Sequence, residues 1–304
     1  MRYRAIAAAG SLIAIASTGA LAERPSASAD AWNWEIEAGG VYRAESNLDA
    51  GGDLNLHRVF ASLSTSRRLD DRTRIGFSLG YGEDRYDFSG SVGFGGLAPW
   101  DRIRQATAGA SVFHKLDERW TVYGIPSVRF NAENGASWND GQTLGLLAGA
   151  SYRFNDSLTL GPGFGVFEEI EDDVSFFPIL IVDWKITDRL SLETGRGFAA
   201  SRGPGLQLRW RSGGKWEIAA GGRYEKNRFR LDKQGVAPEG VGEDVAIPLF
   251  IAAQYAASPK VSLSLIGGVD TAAELRLEDA SGKTIARSDA DSAPFIGATL
   301  RLRL

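Results

Sequence analysis

Along most of this chain, apolar and non-apolar positions alternate with a period of two. Ile75, Phe77, Leu79 and Tyr81 are separated by Gly76, Ser78 and Gly80. Leu158, Leu160, Phe164 and Val166 alternate with Thr159, Gly161, Gly163 and Gly165. Leu206, Leu208 and Trp210 alternate with Gln207, Arg209 and Arg211, and Ile296, Ala298, Leu300, Leu302 and Leu304 with Gly297, Thr299, Arg301 and Arg303. Successive side chains of a strand point to opposite faces, so each segment has one apolar face and one small or charged face. The pattern predicts an all-β fold.

Two kinds of connection separate the strands. The short ones are polar and alike: Leu69-Asp70-Asp71-Arg72, Leu116-Asp117-Glu118-Arg119, Asn155-Asp156-Ser157, Thr187-Asp188-Arg189, Ser212-Gly213-Gly214-Lys215 and Ser258-Pro259-Lys260. All carry turn-forming residues. Longer glycine- and acid-rich connections lie near 45–53, 86–103, 133–141, 168–174, 198–204, 229–244 and 278–293. Six short turns alternating with seven longer loops imply fourteen strands, with both termini on the short-turn side. An even number suits a closed antiparallel barrel. Twelve strands follow instead if one hairpin lies outside the membrane.

A soluble sandwich also alternates, and the tryptophans separate the two cases. Trp32, Trp34, Trp120, Trp184, Trp210 and Trp216 lie at the start of the strand region or close to a short turn, as do Phe154 and Tyr255. Trp120, Trp184, Trp210, Trp216 and Tyr255 are the expected aromatic girdle, at the height where amphipathic rings meet lipid headgroups. Tyr42, Tyr86, Phe88, Phe130, Phe167 and Phe229 are the candidates for a second ring near the longer loops. The expected fold is therefore a transmembrane β-barrel.

By the same parity, Arg129, Arg153, Glu193, Arg209, Arg211, Glu217, Arg223, Arg301 and Arg303 fall opposite the apolar stripe. An Arg or Lys facing lipid at mid-depth costs ~2–4 kcal/mol, so these side chains are expected to line the lumen. Mixed charges there either create the field of a solute channel or pair and seal the interior. Fourteen strands enclose more space than side chains fill in an eight-stranded barrel, which favours water inside. Pro126, Pro162, Pro178 and Pro248 interrupt strand patterns and predict bulges or local gaps, because proline donates nothing to the ladder. Phe177, Ile179 and Ile181 place apolar residues on the lumen face, which predicts either a buried inward loop or a bulge that changes parity.

Composition narrows the picture. Of 304 residues 43% are hydrophobic and 24% charged, and there is no cysteine. This rules out disulfides, thiol chemistry and thiolate metal sites. Arg2 and Arg4 precede an apolar run from Ala5 to Ala16, and Ala20-Leu21-Ala22 follows with small residues. That order predicts a cleavable secretory signal peptide over 1–22, leaving 23–304 as the barrel. Beyond that leader the net charge is −6, which argues against nucleic acid as a partner. No apolar run approaches the ~20 residues of a spanning helix.

Candidate chemistry is sparse. Only two histidines exist, His57 and His114, with Ser62 and Ser64 on the strand of His57 but no nucleophile-elbow motif around them. No enzyme and no cofactor are expected. Glu168, Glu169, Glu171, Asp172 and Asp173 read as an acidic outward loop, either solvated or holding a divalent cation. Arg223, Lys226, Arg228 and Arg230 continue a strand above the apolar band, either as a soluble rim or as contacts for lipopolysaccharide phosphates. Gly93-Phe94-Gly95-Gly96 lacks the lysine of a phosphate cradle and reads as a flexible loop.

The stretch Leu160-Gly161-Pro162-Gly163-Phe164-Gly165-Val166-Phe167, the acidic segment after it, and Phe177-Pro178-Ile179-Leu180 through Thr187-Asp188-Arg189-Leu190 give the chain its resemblance to bacterial outer-membrane β-barrel proteins of a proteobacterial barrel family. The resemblance implies outer-membrane location and a C-terminal strand read by the barrel-insertion machinery. Leu300, Leu302 and Leu304 keep the required alternation, with leucine in place of the usual terminal aromatic. The first functional expectation is porin-like passive passage of small polar solutes, with lumen arginines and glutamates setting selectivity. The second is a non-conducting structural or adhesive barrel contacting lipopolysaccharide or partners, and a lipid-modifying enzyme comes third.

Overall fold

The computed structural model describes residues 31–194 and 204–304, so the leader and most of the 198–204 connection lie outside the described residues. The ascending strands, from short turn to long loop, are β1 (Asn33–Asn47), β3 (Thr73–Ser89), β5 (Trp120–Glu133), β7 (Leu158–Glu169), β9 (Leu190–Thr194), β11 (Trp216–Arg223), β12 (Glu225–Arg230) and β14 (Val261–Glu278). The descending ones are β2 (Asp53–Arg68), β4 (Arg102–Lys115), β6 (Gln142–Arg153), β8 (Asp172–Lys185), β10 (Gly205–Arg211), β13 (Val241–Ala256), β15 (Thr284–Ala290) and β16 (Ala293–Arg303). β11 runs on into β12, and β15 into β16, so these segments make fourteen staves of one closed antiparallel barrel. Closure is direct: β1 pairs with β16, from Glu35 opposite Arg303 to Arg43 opposite Phe295. Both ends of the barrel chain lie on the short-turn side, and the fourteen-strand reading holds over twelve.

Pairing of β1 with β16 closes the wall, and barrel backbone groups bond to neighbouring staves, as hydrocarbon requires. The outer face carries the apolar stripe, with Leu180 63%, Ile251 65% and Ile296 63% exposed. An apolar belt of that extent is unfavourable in water and is matched by lipid. Trp120, Trp184, Trp210 and Trp216 are exposed on the outer face at the short-turn end, and the Tyr255 ring lies tilted against Trp216 at 4.9 Å.

The six short turns share one device. A side-chain oxygen at the start of the turn accepts a backbone N–H two or three residues on. Asp70 accepts from Arg72 and Thr73 at 2.7 and 2.6 Å, and Asp117 from Arg119 and Trp120 at 2.7 Å each. Asn155, Thr187, Ser212 and Ser258 do the same for Ser157, Leu190, Gly214 and Lys260. These local bonds hold the turn from within its own residues.

Three of the four prolines sit at ladder irregularities, as their missing N–H dictates, whereas Pro178 pairs with Phe164 in a regular register. The β4–β5 ladder skips between Gly109–Ser127 and Val112–Gly124, beside Pro126. The β6–β7 ladder skips between Gly149–Gly163 and Tyr152–Leu160, beside Pro162. Pro248 lies just past Leu249, where the β11–β13 ladder stops, and beside a register shift between Val245 and Ile247. Phe177, Ile179 and Ile181 do lie on the inner face, without any change of parity: the β7–β8 register is regular from Leu158 to Phe167.

Several loop expectations are corrected. The acidic segment is no loop, because β7 and β8 run to Glu169 and Asp172 with only Ile170 and Glu171 between them. The glycine-rich segment forms one helical turn, α1 (Gly93–Leu97), with Phe94 fully buried. The second aromatic ring does not form from the residues expected. Tyr42 is exposed on the outer face and Phe130 has the outward parity of β5, but Tyr86, Phe88, Phe167 and Phe229 point inward. Strand extensions beyond the membrane have a partner on their inner side, and the even-numbered positions of β3 turn towards it.

Candidate functional site: a layered lumen under a folded cap

Four layers follow one another up the inside of the barrel. The lowest, near the short turns, is charged. Arg209 bonds Glu193 at 2.6 Å and Glu217 at 3.3 Å, and Arg211 approaches Glu217 at 3.6 Å. On another sector Arg301 bonds Glu37 at 2.5 Å and Glu35 at 3.4 Å, and Arg303 reaches Glu35 at 3.1 Å. These pairs join neighbouring staves.

The second layer is apolar. On the arc from β4 to β8, Ile125, Leu147, Phe167 and Phe177 pack with Phe113, Tyr123 and Ile179. On the opposite arc, Ala219, Phe250, Ala252, Ile266 and Phe295 pack with Val41 and Phe60. Arg129 lies over the Phe167 ring at 4.2 Å and Arg223 over Phe250 at 5.7 Å, so both cap the apolar walls.

The third layer is charged and crosses the lumen. Arg58 on β2 bonds its neighbour Asp84 at 3.2 Å and also reaches Glu225 on β12 at 3.1 Å. Gln105 donates to Asp84 at 3.1 Å, and Tyr86 on β3 donates to Asp244 on β13 at 2.9 Å. β2 and β12, or β3 and β13, are not neighbours in the sheet. Such bonds span the interior.

The fourth layer closes the loop-side mouth. After Tyr224 the chain leaves the edge of β10, and β12 leans across the opening until Arg230 pairs with Ala132 of β5. β12, the upper halves of β13 and β14, and β15 form a small sheet over the mouth. Phe229, Leu231, Leu275 and Leu277 of this sheet are buried against Leu54, Leu56, Tyr86, Phe94, Trp100 and Ile103 from the opposite rim. Trp100 sits at the centre, with ring contacts to Tyr86, Phe88, Phe94 and Phe229 at 5.2–5.9 Å.

An ionic latch holds the cap to the β7–β8 hairpin. Arg228 donates to the Ile170 carbonyl at 2.7 Å, to Glu243 at 3.1 Å and to Glu278 at 2.5 Å. Lys226 lies 3.5 Å from Glu169 and 3.3 Å from Glu243, and Arg230 lies 2.6 Å from Glu171. Burial alone would push the Glu243 carboxyl up, but Lys226, Arg276 and Arg228 outweigh it and hold Glu243 below its ordinary value.

The sequence-predicted residues are therefore distributed between layers. Glu193, Arg209, Arg211, Glu217, Arg301 and Arg303 lie in the lowest layer, Arg129 and Arg223 at the top of the apolar one, and Arg153 on the inner parity near a short turn. Lys226, Arg228 and Arg230 form no exposed rim: the first two are buried and all three bond inward. The acidic run is divided. Glu169 and Glu171 serve the latch, Glu168 accepts the Leu144 N–H at 2.9 Å, and Asp172 and Asp173 are exposed. Among the described residues no cluster of His, Cys, Asp and Glu has metal-holding geometry. His57 stands on the outer face 3.9 Å from Asp87, whereas Ser62 and Ser64 have the inward parity, so no serine–histidine pair is assembled. His114 meets the Thr73 hydroxyl, at 3.0 Å.

Sequence reasoning missed Glu37, Arg43, Arg58 and Asp84, although each sits at an inward position of an alternating strand. Parity alone would have found them. It would not have found Glu243 or Glu278, because strands above the membrane carry polar residues on both faces.

No protein-family model and no curated protein matches the chain. Among solved structures it is similar to an outer-membrane channel from Pseudomonas putida F1, at 11% identity and TM-score 0.48, covering 93% of this chain and 100% of that one. A Pseudomonas aeruginosa FadL homologue is 12% identical over 90% of this chain and 88% of its own, at TM-score 0.42. The P. putida toluene transporter TodX is 12% identical over 90% and 89%, at TM-score 0.45.

Proposed function

We propose that this chain is an outer-membrane channel barrel whose loop-side mouth is held shut by its own cap, and that solute passes only when the cap moves. The observation that carries the reading is the layered interior. A barrel of fourteen staves is wider than the eight-stranded kind whose wall residues fill it. The ion pairs of its lowest layer join neighbouring staves, and the bonds that cross the interior gather in the third layer and the cap, towards the loop-side mouth. A leader over 1–22 and delivery by the insertion machinery belong to the same reading, as do lipopolysaccharide neighbours in the outer leaflet.

A sealed, non-conducting structural barrel is the second reading. The bonds from Arg58 to Glu225 and from Tyr86 to Asp244 favour it, since both tie opposite walls together.

Planar-bilayer conductance of the refolded protein separates the two, with heat-modifiable gel migration to establish folding. The channel reading expects rare openings in the native chain and frequent ones in Trp100→Ala. It also expects Arg209→Glu or Arg301→Glu to shift selectivity towards cations. The chain has no cysteine of its own, so an Ala132→Cys/Arg230→Cys pair offers a clean lock. Oxidation should silence the channel and reductant should restore it. A folded barrel silent in every form would overturn the channel reading and leave the structural one.

A further inference from the structure

Charge on the inner face is shared unevenly around the barrel. From β9 to β11, and again where β16 meets β1, Arg209, Arg211, Arg301 and Arg303 are each paired with a glutamate. On the sector from β2 to β6 the bases stand without acids. Arg68, Arg74, Lys115 and Arg153 occupy inner positions at the short-turn ends of β2, β3, β4 and β6. No acid shares that inner face below the register row of Asp84, Ile103 and Glu133. Of the acids in the adjoining turns, Asp70 and Asp117 are engaged by backbone N–H groups, and Asp71 and Glu118 are exposed. Among the described residues none of the four bases forms an ion pair.

Arg68 and Arg74 stand directly opposite each other in the β2–β3 register, and Lys115 is diagonal to Arg74 across the Arg74–Phe113 pair. Like charges so placed on one face destabilise a ladder. Arg74 has the Phe113 ring at 5.1 Å, but the face offers it no carboxylate. The wall above these bases is built from small residues. Ser62 and Ser64 on β2, Ser78 and Gly80 on β3 and Gly109 on β4 all lie on the inner face. Side chains this short leave the lumen beside them unfilled, and each of these residues stays partly exposed. The result is a hydroxyl-lined trough along one side of the barrel, with cations at its short-turn end.

We propose that this trough is a path for small anions, and that Arg68, Arg74, Lys115 and Arg153 form the site that selects them at the short-turn mouth. Guanidinium and ammonium groups without carboxylate partners hold carboxylate, sulfate or phosphate groups by charge-assisted hydrogen bonds. A lining of such groups favours anions in a pore, and the serine hydroxyls donate along the way. A bound anion also offsets the repulsion between Arg68 and Arg74. The proposal deepens the channel reading by giving the sign of the charge carried. It rests on that reading for passage, but anion binding is measured apart from conduction.

Two measurements on the refolded full chain test it. The first is the reversal potential in a planar bilayer under a potassium chloride gradient, with Trp100→Ala as background to raise the opening rate. Chloride is expected to be more permeant than potassium. Arg68→Ser/Arg74→Ser should lower the chloride-to-potassium permeability ratio about threefold at ~0.1 M salt, where screening acts over ~10 Å. Arg85→Ser, which removes an exposed arginine from the outer face, should leave the ratio unchanged. Relief of repulsion favours folding of the double variant, and Arg153→Ser gives a second should it fail. The second measurement is methyl NMR of the barrel in lipid nanodiscs with its lysines dimethylated, titrated with sodium sulfate. A saturable shift at Lys115 is expected, absent at Lys260 in the last short turn and lost in Arg68→Ser/Arg74→Ser. A preference for potassium, or a ratio untouched by the double variant, would overturn the proposal and keep the channel reading. A folded barrel silent in every form removes the path along with the channel reading. The Lys115 titration then decides the site: saturation keeps it, and shifts no larger than those of Lys260 overturn it.

Discussion

A single carboxylate or hydroxyl closes each short turn, and its behaviour can be tested residue by residue. The backbone N–H groups of Arg72 and Thr73 hold the Asp70 carboxyl below its ordinary value, and those of Trp120 and Arg119 do the same for Asp117. A group depressed in the folded state contributes above its ordinary range, and the contribution is lost as pH falls through the lowered value. Carboxyl NMR titration should therefore place the Asp70 midpoint below that of a free aspartate. Asp70 and Asp117 were legible in the sequence because turn chemistry is local. Arg228 was not. Its strand looked like a stave continuing above the membrane, and only the departure at Tyr224 turns it inward onto Glu243 and Glu278. Removing one partner of a buried ion pair costs about 3–5 kcal/mol, because the remaining charges stay buried. Arg228→Ala should lower cap stability by about that much, read as faster amide exchange in β12 with the girdle-side strands unchanged.

At the scale of elements, the cap behaves as a small domain grafted on the barrel. It has its own core around Trp100, separate from the lumenal clusters. Truncating a large buried aromatic costs about 3–5 kcal/mol. Trp100→Ala should thus loosen Phe229–Leu231 and Leu275–Leu277 in hydrogen exchange while the heat-modifiable barrel migrates as before. The staves were predictable one by one, and so were the gaps beside Pro126 and Pro162, because a missing N–H acts only on the adjacent ladder. The cap was not predictable. Its strands alternate just as the staves do, and nothing local says that β12 will pair across the mouth and leave β10.

At the scale of the whole molecule, the latch makes closure depend on acid in a defined direction. Glu243 is held below its ordinary value, so the latch is intact above the usual glutamate range and is lost as pH falls through the lowered value. Channel openings in a bilayer should be equally rare across the neutral range and rise only in strong acid. Arg228→Ala should remove that acid threshold. The sequence by itself determined the class of fold, the stave number, the side on which the termini lie and the lipid-facing stripe. Each follows from period-two alternation, turn chemistry and the cost of charge in lipid, all of which act within one strand or between neighbours. Only the tertiary structure decided what fills the interior. Which inward residues meet depends on barrel closure and on the path of β12, and these bring Arg58 to Glu225 and Arg228 to Ile170 from far apart in the chain. Contacts between staves that are not neighbours leave no periodic trace in the sequence.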